Sequence, residues 1–360
     1  MNSKPLSVVV AGGGTAGHIE PALAVAAVLQ RDYGARITAL GTQKGLESDL
    51  IPARGVDLEM ITPVPIPRKL SLDLLKLPYR LVRSVLEARK VLKKVDADAV
   101  FGTGGYVAAP AYLAAASHHL PFYVLETNAL AGLANKLGVK LGGIGFNAQP
   151  NSGMPGEQVG IPVRPELGND PEAAARGREL WGLREGIPTI LVTGGSQGAA
   201  SINRAVAEVK SSWSGEFQVL HAVGKKNVLP ESSEGYVPVP YIDDMSAALA
   251  VADLAVCRSG AMTVAEVSAA GVPVIYVPLP HGNGEQALNS KDVVAAGAAV
   301  QVPDAELDGA RLDREIRTIL GDEERLQAMR TAVADSAAGG AAQRLADHIA
   351  TAIREAKEES

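Results

Sequence analysis

His18 closes the glycine-rich turn Gly12-Gly13-Gly14-Thr15-Ala16-Gly17-His18, which follows the apolar run Leu6–Ala11 and leads into a helical pattern from Pro21. An imidazole titrates near neutrality, so one held at a helix start can take a proton from an attacking hydroxyl. A purely structural hydrogen-bonding histidine is the other reading these residues leave open. A second turn of the same make, Gly194-Gly195-Ser196-Gln197-Gly198, follows Thr189–Thr193 and opens another helical pattern at Ala199. Glycine lets backbone amides approach a ligand closely, and a helix start aims unbonded N–H groups and the positive dipole end at an anion. Each turn is therefore a candidate phosphate or oxyanion site.

Gly12-x-Gly14-x-x-Gly17 has the spacing of the dinucleotide fingerprint, and its position after a strand and before a helix is suitable. That fingerprint also requires an acidic residue about 20 positions on, at the end of the next strand, to hold a ribose. Here the strand ends Ala39-Leu40-Gly41-Thr42-Gln43 and the next acid is Glu47, which weakens a nicotinamide reading. A third cluster, Gly102-Thr103-Gly104-Gly105-Tyr106, serves either a ligand or tight packing at a strand end.

The second half of the chain adds polar candidates. Asp243 or Asp244 reads as the N-cap of a following helix, with metal binding by that pair, or by Asp96 and Asp98, as the sharper alternative; no metal is expected. In Arg258-Ser259-Gly260-Ala261-Met262-Thr263-Val264-Ala265-Glu266, the glutamate stands one turn into a predicted helix, where a carboxylate can accept the vicinal hydroxyls of a ribose. A capping box of Thr263 with Glu266 is the competing role. His281-Gly-Asn-Gly-Glu285-Gln286 follows a further strand. Open α/β sheets bind ligands beyond the carboxyl ends of their strands, which is where all of these segments fall.

The elements that position these residues are legible. Short Val/Ile/Leu/Ala runs near 6–11, 36–40, 57–61, 98–101, 121–125 and 142–146 alternate with helical patterns, and a second series follows near 188–193, 217–222, 236–240, 253–257, 272–277 and 298–302. Such alternation predicts βαβ units and parallel sheets. A length of 360 residues calls for two domains, and 47% hydrophobic with 21% charged residues suffices for two cores. We place the boundary in the stretch from Gly160 to Glu166, with one domain over 1–163 and the other over 164–340. A terminal helix, 341–360, returns to the first domain.

A single cysteine, Cys257, excludes an internal disulfide and a cysteine-built zinc site, and reads as a small buried residue in a reducing compartment. Neither a signal peptide nor a membrane span is expected. A net charge of −6 argues against nucleic acid as a partner. The stretch 68–94 runs against that average, carrying Arg68, Lys69, Lys76, Arg80, Arg83, Arg89, Lys90, Lys93 and Lys94 against Asp73 and Glu87, interleaved with Leu70, Leu72, Leu74, Leu75, Leu77, Tyr79 and Leu81. Its leucines either all face a core or help form a docking patch for an anionic membrane surface.

Gly13-Gly14-Thr15-Ala16-Gly17-His18, Gly104-Gly105-Tyr106-Val107, Glu126-Thr-Asn128 with Gly132, Asn135 and Lys136, Gly160-x-Pro162-Val163-Arg164, Gly194 to Ala199, Ile242-Asp243-Asp244-Met245 and Cys257 to Thr263 together resemble the MurG family of bacterial transferases over nearly the whole chain. The resemblance implies an α/β GT-B glycosyltransferase, two Rossmann-like domains with parallel sheets facing across a cleft. It implies inverting, metal-free and cofactor-free transfer of N-acetylglucosamine from UDP-GlcNAc to the C4 hydroxyl of MurNAc in undecaprenyl-pyrophosphoryl-MurNAc-pentapeptide, called lipid I, giving lipid II of peptidoglycan synthesis. Peripheral attachment to the cytoplasmic face of the cell membrane through 68–94, and cell-wall synthesis proteins as partners, belong to the same implication.

The family's nucleotide-sugar contacts carry over onto Thr15, Ala16, Gly17, Asn128, Arg164, Ser196, Ile242, the run Ala261, Met262, Thr263, Val264, Ala265, Glu266, and Gln286. Ile242 would meet uracil through its backbone, Glu266 the ribose, and Arg164 and Ser196 the diphosphate, with His18 the candidate base. Two departures stand out: Ala16 replaces a usual glycine, and Leu125 a histidine common before the family's glutamate. A UDP-sugar epimerase of similar build and a non-catalytic nucleotide-sugar sensor are the alternative readings; neither needs a lipid acceptor, and the sensor has no use for His18.

Overall fold

The computed structural model describes residues 4–43, 45–64, 73–164, 167–168, 170–280, 284–336 and 340–358. The chain divides into two compact units, Met1–Arg164 together with Gly340–Ser360, and Pro165–Gly339. In chain order the first contains β1 (Ser7–Gly12), α1 (Ala16–Tyr33), β2 (Arg36–Gly41), α2 (Glu47–Leu50), β3 (Asp57–Met60), α3 (Asp73–Lys94), β4 (Ala99–Gly104), α4 (Ala108–Ser117), β5 (Phe122–Glu126), α5 (Leu133–Lys140), β6 (Ile144–Asn147) and β7 (Glu157–Gln158). The second contains α6 (Ala173–Trp181), β8 (Thr189–Thr193), α7 (Ala200–Val209), β9 (Gln218–Ala222), β10 (Tyr236–Val239), α8 (Met245–Ala250), β11 (Leu254–Cys257), α9 (Ala261–Ala269), β12 (Val274–Tyr276), α10 (Glu285–Asn289), α11 (Lys291–Ala295), β13 (Ala299–Gln301), α12 (Gly309–Leu320) and α13 (Glu323–Ser336). The last helix, α14 (Ala341–Glu358), belongs to the first unit.

Both sheets are parallel, ordered β3-β2-β1-β4-β5-β6-β7 and β10-β9-β8-β11-β12-β13. The strand order reverses between β1 and β4 in one and between β8 and β11 in the other, and ligands of open α/β sheets bind at such switch points. The glycine-rich turns lie there: after β1, β4 and β8. The strands read as unbroken apolar runs because both of their faces are covered. In β1, Val8 and Val10 join a core with α1 and α14, whereas Val9 and Ala11 join one with α3 and α4.

Helix α14 closes the first of these cores. Leu345, Ile349 and Ile353 are buried beside Ile19, Leu23 and Val25 of α1. The His348 ring stands edge-on to Tyr123 of β5 and Phe146 of β6, at 5.7 and 5.2 Å. Arg344 donates to the Val159 carbonyl at 2.6 Å.

Helix α3 buries Ser84, Ala88, Val91 and Leu92 but leaves Tyr79, Val82 and Leu86 exposed at 69, 59 and 52%. Those three recur at helical spacing along one stripe, an apolar surface facing water. Leu77 and Leu81 are only half-buried. Arg68, Lys69, Leu70 and Leu72 lie outside the described residues, as do the side chains of residues 73–76. Among the described residues no helix is long and apolar enough to cross a membrane.

Candidate functional site

The β1 and β4 turns interlock. Gly13 N–H donates to the Gly104 carbonyl at 3.3 Å, and the parallel register slips between Ala11 and Gly12 where the two strands end. A side chain at Gly105, which sits at φ +85°, would come within 1.9 Å of the Gly13 carbonyl oxygen, so only glycine fits there. His18 occupies the first turn of α1. The buried Thr103 hydroxyl donates to its carbonyl at 2.6 Å, and its imidazole lies against Gly104. Thr15 is the exposed N-cap of α1 and makes no side-chain cap bond. Pro21 has no N–H to offer the carbonyl of Gly17 four residues back. Gly17 itself is crowded by nothing closer than Thr15 Oγ1 at 3.7 Å, so no packing within the fold requires its lack of a side chain.

Glu126, at the end of β5, is buried and gathers the loop that follows. One oxygen accepts from Asn128 N–H at 2.9 Å and Asn128 Nδ2 at 3.2 Å; the other accepts from Gly132 N–H and Asn135 Nδ2, each at 2.9 Å. Asn135 also donates to the Leu125 carbonyl and accepts from Tyr112, whose phenol is pushed well above its ordinary range by burial and by the Glu126 charge. Asn128 is thus held half-buried at the sheet's carboxyl edge. Leu125 points into the core beside Val8 and Val10, so the side chain at this position is a packing element here. Arg164 approaches Glu20 of α1 at 3.9 Å, and Arg54 donates to both oxygens of the same glutamate. Asp96 pairs with Lys4, and Asp98 with Ser7 N–H and Lys357, which commits both carboxylates to structural bonds.

In the second unit the loops beyond the strands are laced together. The turn after β8 exposes Ser196 and Gln197; Gly195 stands at φ +82° with open space around its missing side chain, and Gly198 packs on the Val223 carbonyl. Asn227 ties this turn to the loop after β9 by donating to Gln197 and Val223 carbonyls at 3.0 and 2.7 Å. Lys225 lies over the ring of Tyr241, 4.3 Å from its centre, next to buried Ile242. Both α7 and α9 begin without a side-chain cap, on Ala199 and Gly260. Their first N–H groups are ready to meet an anion.

Gly260 is the N-cap of α9, so Thr263 is the third helical residue and the Thr263–Glu266 capping box does not form. Glu266 stands half-buried in the second turn. Asp244, rather than Asp243, caps α8 by accepting Ala247 N–H at 2.9 Å, and it also receives Arg176 at 2.8 Å. Gln286 Oε1 accepts Leu279 N–H at 3.0 Å and Asn289 donates to the Ser259 carbonyl at 3.2 Å, which brings α10 to the start of α9. His281 lies outside the described residues. Among the described residues no group of three His, Cys, Asp or Glu is placed to hold a metal ion.

Sequence reasoning named Arg258 within its segment but gave it no role. Its guanidinium donates to the Val277 and Pro278 carbonyls, to Asp304 at 2.5 Å and to Ser201 of α7 at 3.1 Å, joining the ends of β11 and β12 to the helix after the exposed glycine turn. Burial opposes ionisation of Asp304, but the Ser201 and Arg258 bonds hold its carboxyl below the usual range. A lone arginine after a strand carries no signal for such a role. Cys257 is fully buried, and burial raises its thiol far above the ordinary range, so it is inert.

Residues 8–141 match the Glycosyltransferase family 28 N-terminal domain and residues 189–345 its C-terminal domain. A UDP-N-acetylglucosamine–N-acetylmuramyl-(pentapeptide) pyrophosphoryl-undecaprenol N-acetylglucosamine transferase of Corynebacterium efficiens is 62% identical over 97% of this chain and 98% of its own. The crystal structure of MurG from Acinetobacter baumannii superposes with a TM-score of 0.74 at 29% identity, covering 96% of this chain and 99% of that one. The calicheamicin glycosyltransferase CalG4, at 19% identity over 96% of this chain and 98% of its own, shares the fold with a TM-score of 0.66. With two parallel Rossmann-ordered sheets and both family 28 domains in place, the chain belongs to the GT-B family of UDP-N-acetylglucosamine–N-acetylmuramyl-(pentapeptide) pyrophosphoryl-undecaprenol N-acetylglucosamine transferases.

Proposed function

We propose that this chain moves N-acetylglucosamine from UDP-GlcNAc to the C4 hydroxyl of the MurNAc residue of lipid I, forming a β-1,4 bond with inversion and yielding lipid II. The observation that carries the reading is 62% identity to a transferase of that name along almost the full length of both chains. In the reaction the acceptor hydroxyl attacks the anomeric carbon as the bond to the diphosphate breaks, its proton passes to His18, and UDP leaves with the electron pair. His18 has the setting a base requires, at a helix start with its backbone fixed by Thr103.

We assign the diphosphate to the Ser196 turn, the start of α7 and Arg164, uracil to the backbone at Ile242, and the ribose to Glu266. Thr15, Ala16, Gly17, Asn128, Ala261 to Ala265 and Gln286 complete the substrate contacts. The exposed Ser196 turn and the uncapped start of α7 support the diphosphate assignment, because charge growing on the leaving group is best met by donors already in place.

The domain assignment, with 1–163 and helix 341–360 serving the acceptor and 164–340 the donor, rests on that allocation of residues. The exposed Tyr79–Val82–Leu86 stripe among basic residues supports attachment of the first domain to the anionic cytoplasmic leaflet, beside the lipid acceptor. Cell-wall synthesis proteins belong to the same proposal as partners.

The deciding assay supplies UDP-GlcNAc with a short-chain lipid I analogue. Release of UDP coupled to a disaccharide product, and dependent on acceptor, is expected. Conversion of the sugar nucleotide without acceptor would favour an epimerase, and binding without turnover a sensor.

A further inference from the structure

Glu47 is fully buried, although the sequence offers it no role beyond the acid that stands too late for a ribose-binding fingerprint. Its Oε2 accepts the Gly14 N–H at 3.2 Å, while Oε1 accepts the Thr42 N–H at 3.1 Å and the Thr42 hydroxyl at 2.8 Å. Room has been cleared around it. A side chain at Gly41 would come within 2.7 Å of Glu47 Cγ, one at Gly45 within 2.0 Å of Oε2, and one at Gly13 within 3.2 Å of Oε1. Glycines from two loops thus surround one carboxylate, and a buried carboxylate persists only where donors meet it.

The geometry points to Glu47 as a positioning residue for transfer: it is the anion that the first glycine turn holds, and through Gly14 it fixes the start of α1 where Thr15 and His18 stand. Gly14 sits at φ +86°, a conformation in which the backbone gains nothing from a side chain and can rotate away unless pinned. On one flank the turn is tied by Gly13 N–H to the Gly104 carbonyl, and His18 by Thr103. Glu47 ties the other flank. The glycine turns after β1 and β8 accordingly differ in kind: at the first, the Gly14 N–H already has an internal anion, whereas at the second nothing crowds Gly195 and Ser196 is exposed.

This role rests on the transferase reading, and the experiment separates the two. Glu47→Gln keeps the volume. With its amide oxygen toward the two Thr42 donors, its NH₂ group faces the Gly14 N–H, donor against donor. Thr42→Val removes one bond to the same carboxylate and leaves the Gly14 bond intact. With both substrates saturating, Glu47→Gln is expected to lower kcat about 10- to 100-fold, the effect of displacing a catalytic group by a fraction of an ångström to an ångström. UDP affinity should stay within about twofold, since the contacts assigned to the diphosphate, ribose and uracil lie outside this turn.

Thr42→Val is expected to keep most of its turnover. Should Glu47→Gln fail to fold, Glu47→Asp, one methylene shorter, loses the reach to Gly14 and should show the same kcat loss. Retention of more than half the wild-type kcat by Glu47→Gln, or losses in both variants that merely follow their melting temperatures, overturns the role of Glu47. A wild-type chain that transfers nothing to the lipid I analogue overturns the transferase reading instead.

Discussion

A methyl group built on Gly104 would lie 3.0 Å from Cε1 and 3.1 Å from Nδ1 of His18, so the imidazole rests directly on the backbone of the β4 turn. At φ +110°, Gly104 occupies a conformation that other residues avoid, and the absence of a side chain there is what admits the ring. The third glycine cluster, which on its own could have meant packing alone, therefore packs against the residue with the most chemical potential in the first unit.

His18→Ala should accordingly remove most transfer while leaving UDP affinity nearly unchanged. General base catalysis contributes about 10²- to 10⁴-fold, and the loss should fall in kcat. Acceptor-dependent UDP release gives the rate and calorimetric titration the affinity; near-normal turnover would remove His18 from the mechanism.

Glu266→Ala is expected to raise KM for UDP-GlcNAc about tenfold or more with little change in kcat, because a charge-assisted hydrogen bond to a ribose is worth about 1.5–3 kcal/mol in ground and transition states alike. Gly260 caps α9, so the substitution should cost little thermal stability. A lowered melting temperature with unaltered KM would assign Glu266 to the fold.

His221 makes stability depend on pH. It is buried between the Tyr236 hydroxyl at 2.9 Å and Asn203 Oδ1 at 3.1 Å. Burial, and secondarily the Lys210 ammonium, lower its pKa to about 4 from 6.5. Between those values the unfolded chain binds the proton and the folded one does not, so the contribution is complete above about pH 6.5 and is lost as pH falls toward 4. Its size is on the order of 3 kcal/mol. Urea unfolding at pH 7 and pH 5 should show a smaller difference for His221→Gln than for the wild type. Equal differences would refute the assignment.

Replacing Lys69, Lys76, Arg80 and Lys90 by Glu should release the protein from anionic vesicles and lower activity on membrane-embedded acceptor, with UDP-GlcNAc binding intact. Each cation near such a surface is worth about 1 kcal/mol. Arg83 is left in place because it holds Glu87, which in turn accepts the Thr62 N–H. Sedimentation with vesicles at low and high salt decides the matter, and unchanged co-sedimentation would refute the patch.

The strands were legible because buried parallel strands are apolar on both faces, so β1, β4 and β8 stand out as runs ending in glycine. The turn residues were legible for the same reason. Glu47 and Arg258 were not: their partners Gly14, Ser201 and Asp304 are distant in sequence, and a glutamate or arginine taken alone reads as surface. The capping box failed through a boundary. Thr263-x-x-Glu266 has the right spacing, but α9 starts at Ala261, two residues too early for Thr263 to cap it. On α3, composition correctly marked a basic apolar region, but Val82 and Leu86, which face water beside Tyr79, were not among the side chains it singled out.

Because α14 completes a core begun by β1 and α1, the first unit is assembled from the two ends of the chain with the second unit inserted between them. On the ribosome, Ile19, Leu23 and Val25 emerge early and must wait for Leu345, Ile349 and Ile353, while residues 165–339 are made and can fold in the interval. A product broken off in that interval would carry an open hydrophobic seam along α1. Covering that seam requires α14, so the half that holds His18 matures only after residues 341–358 have been made.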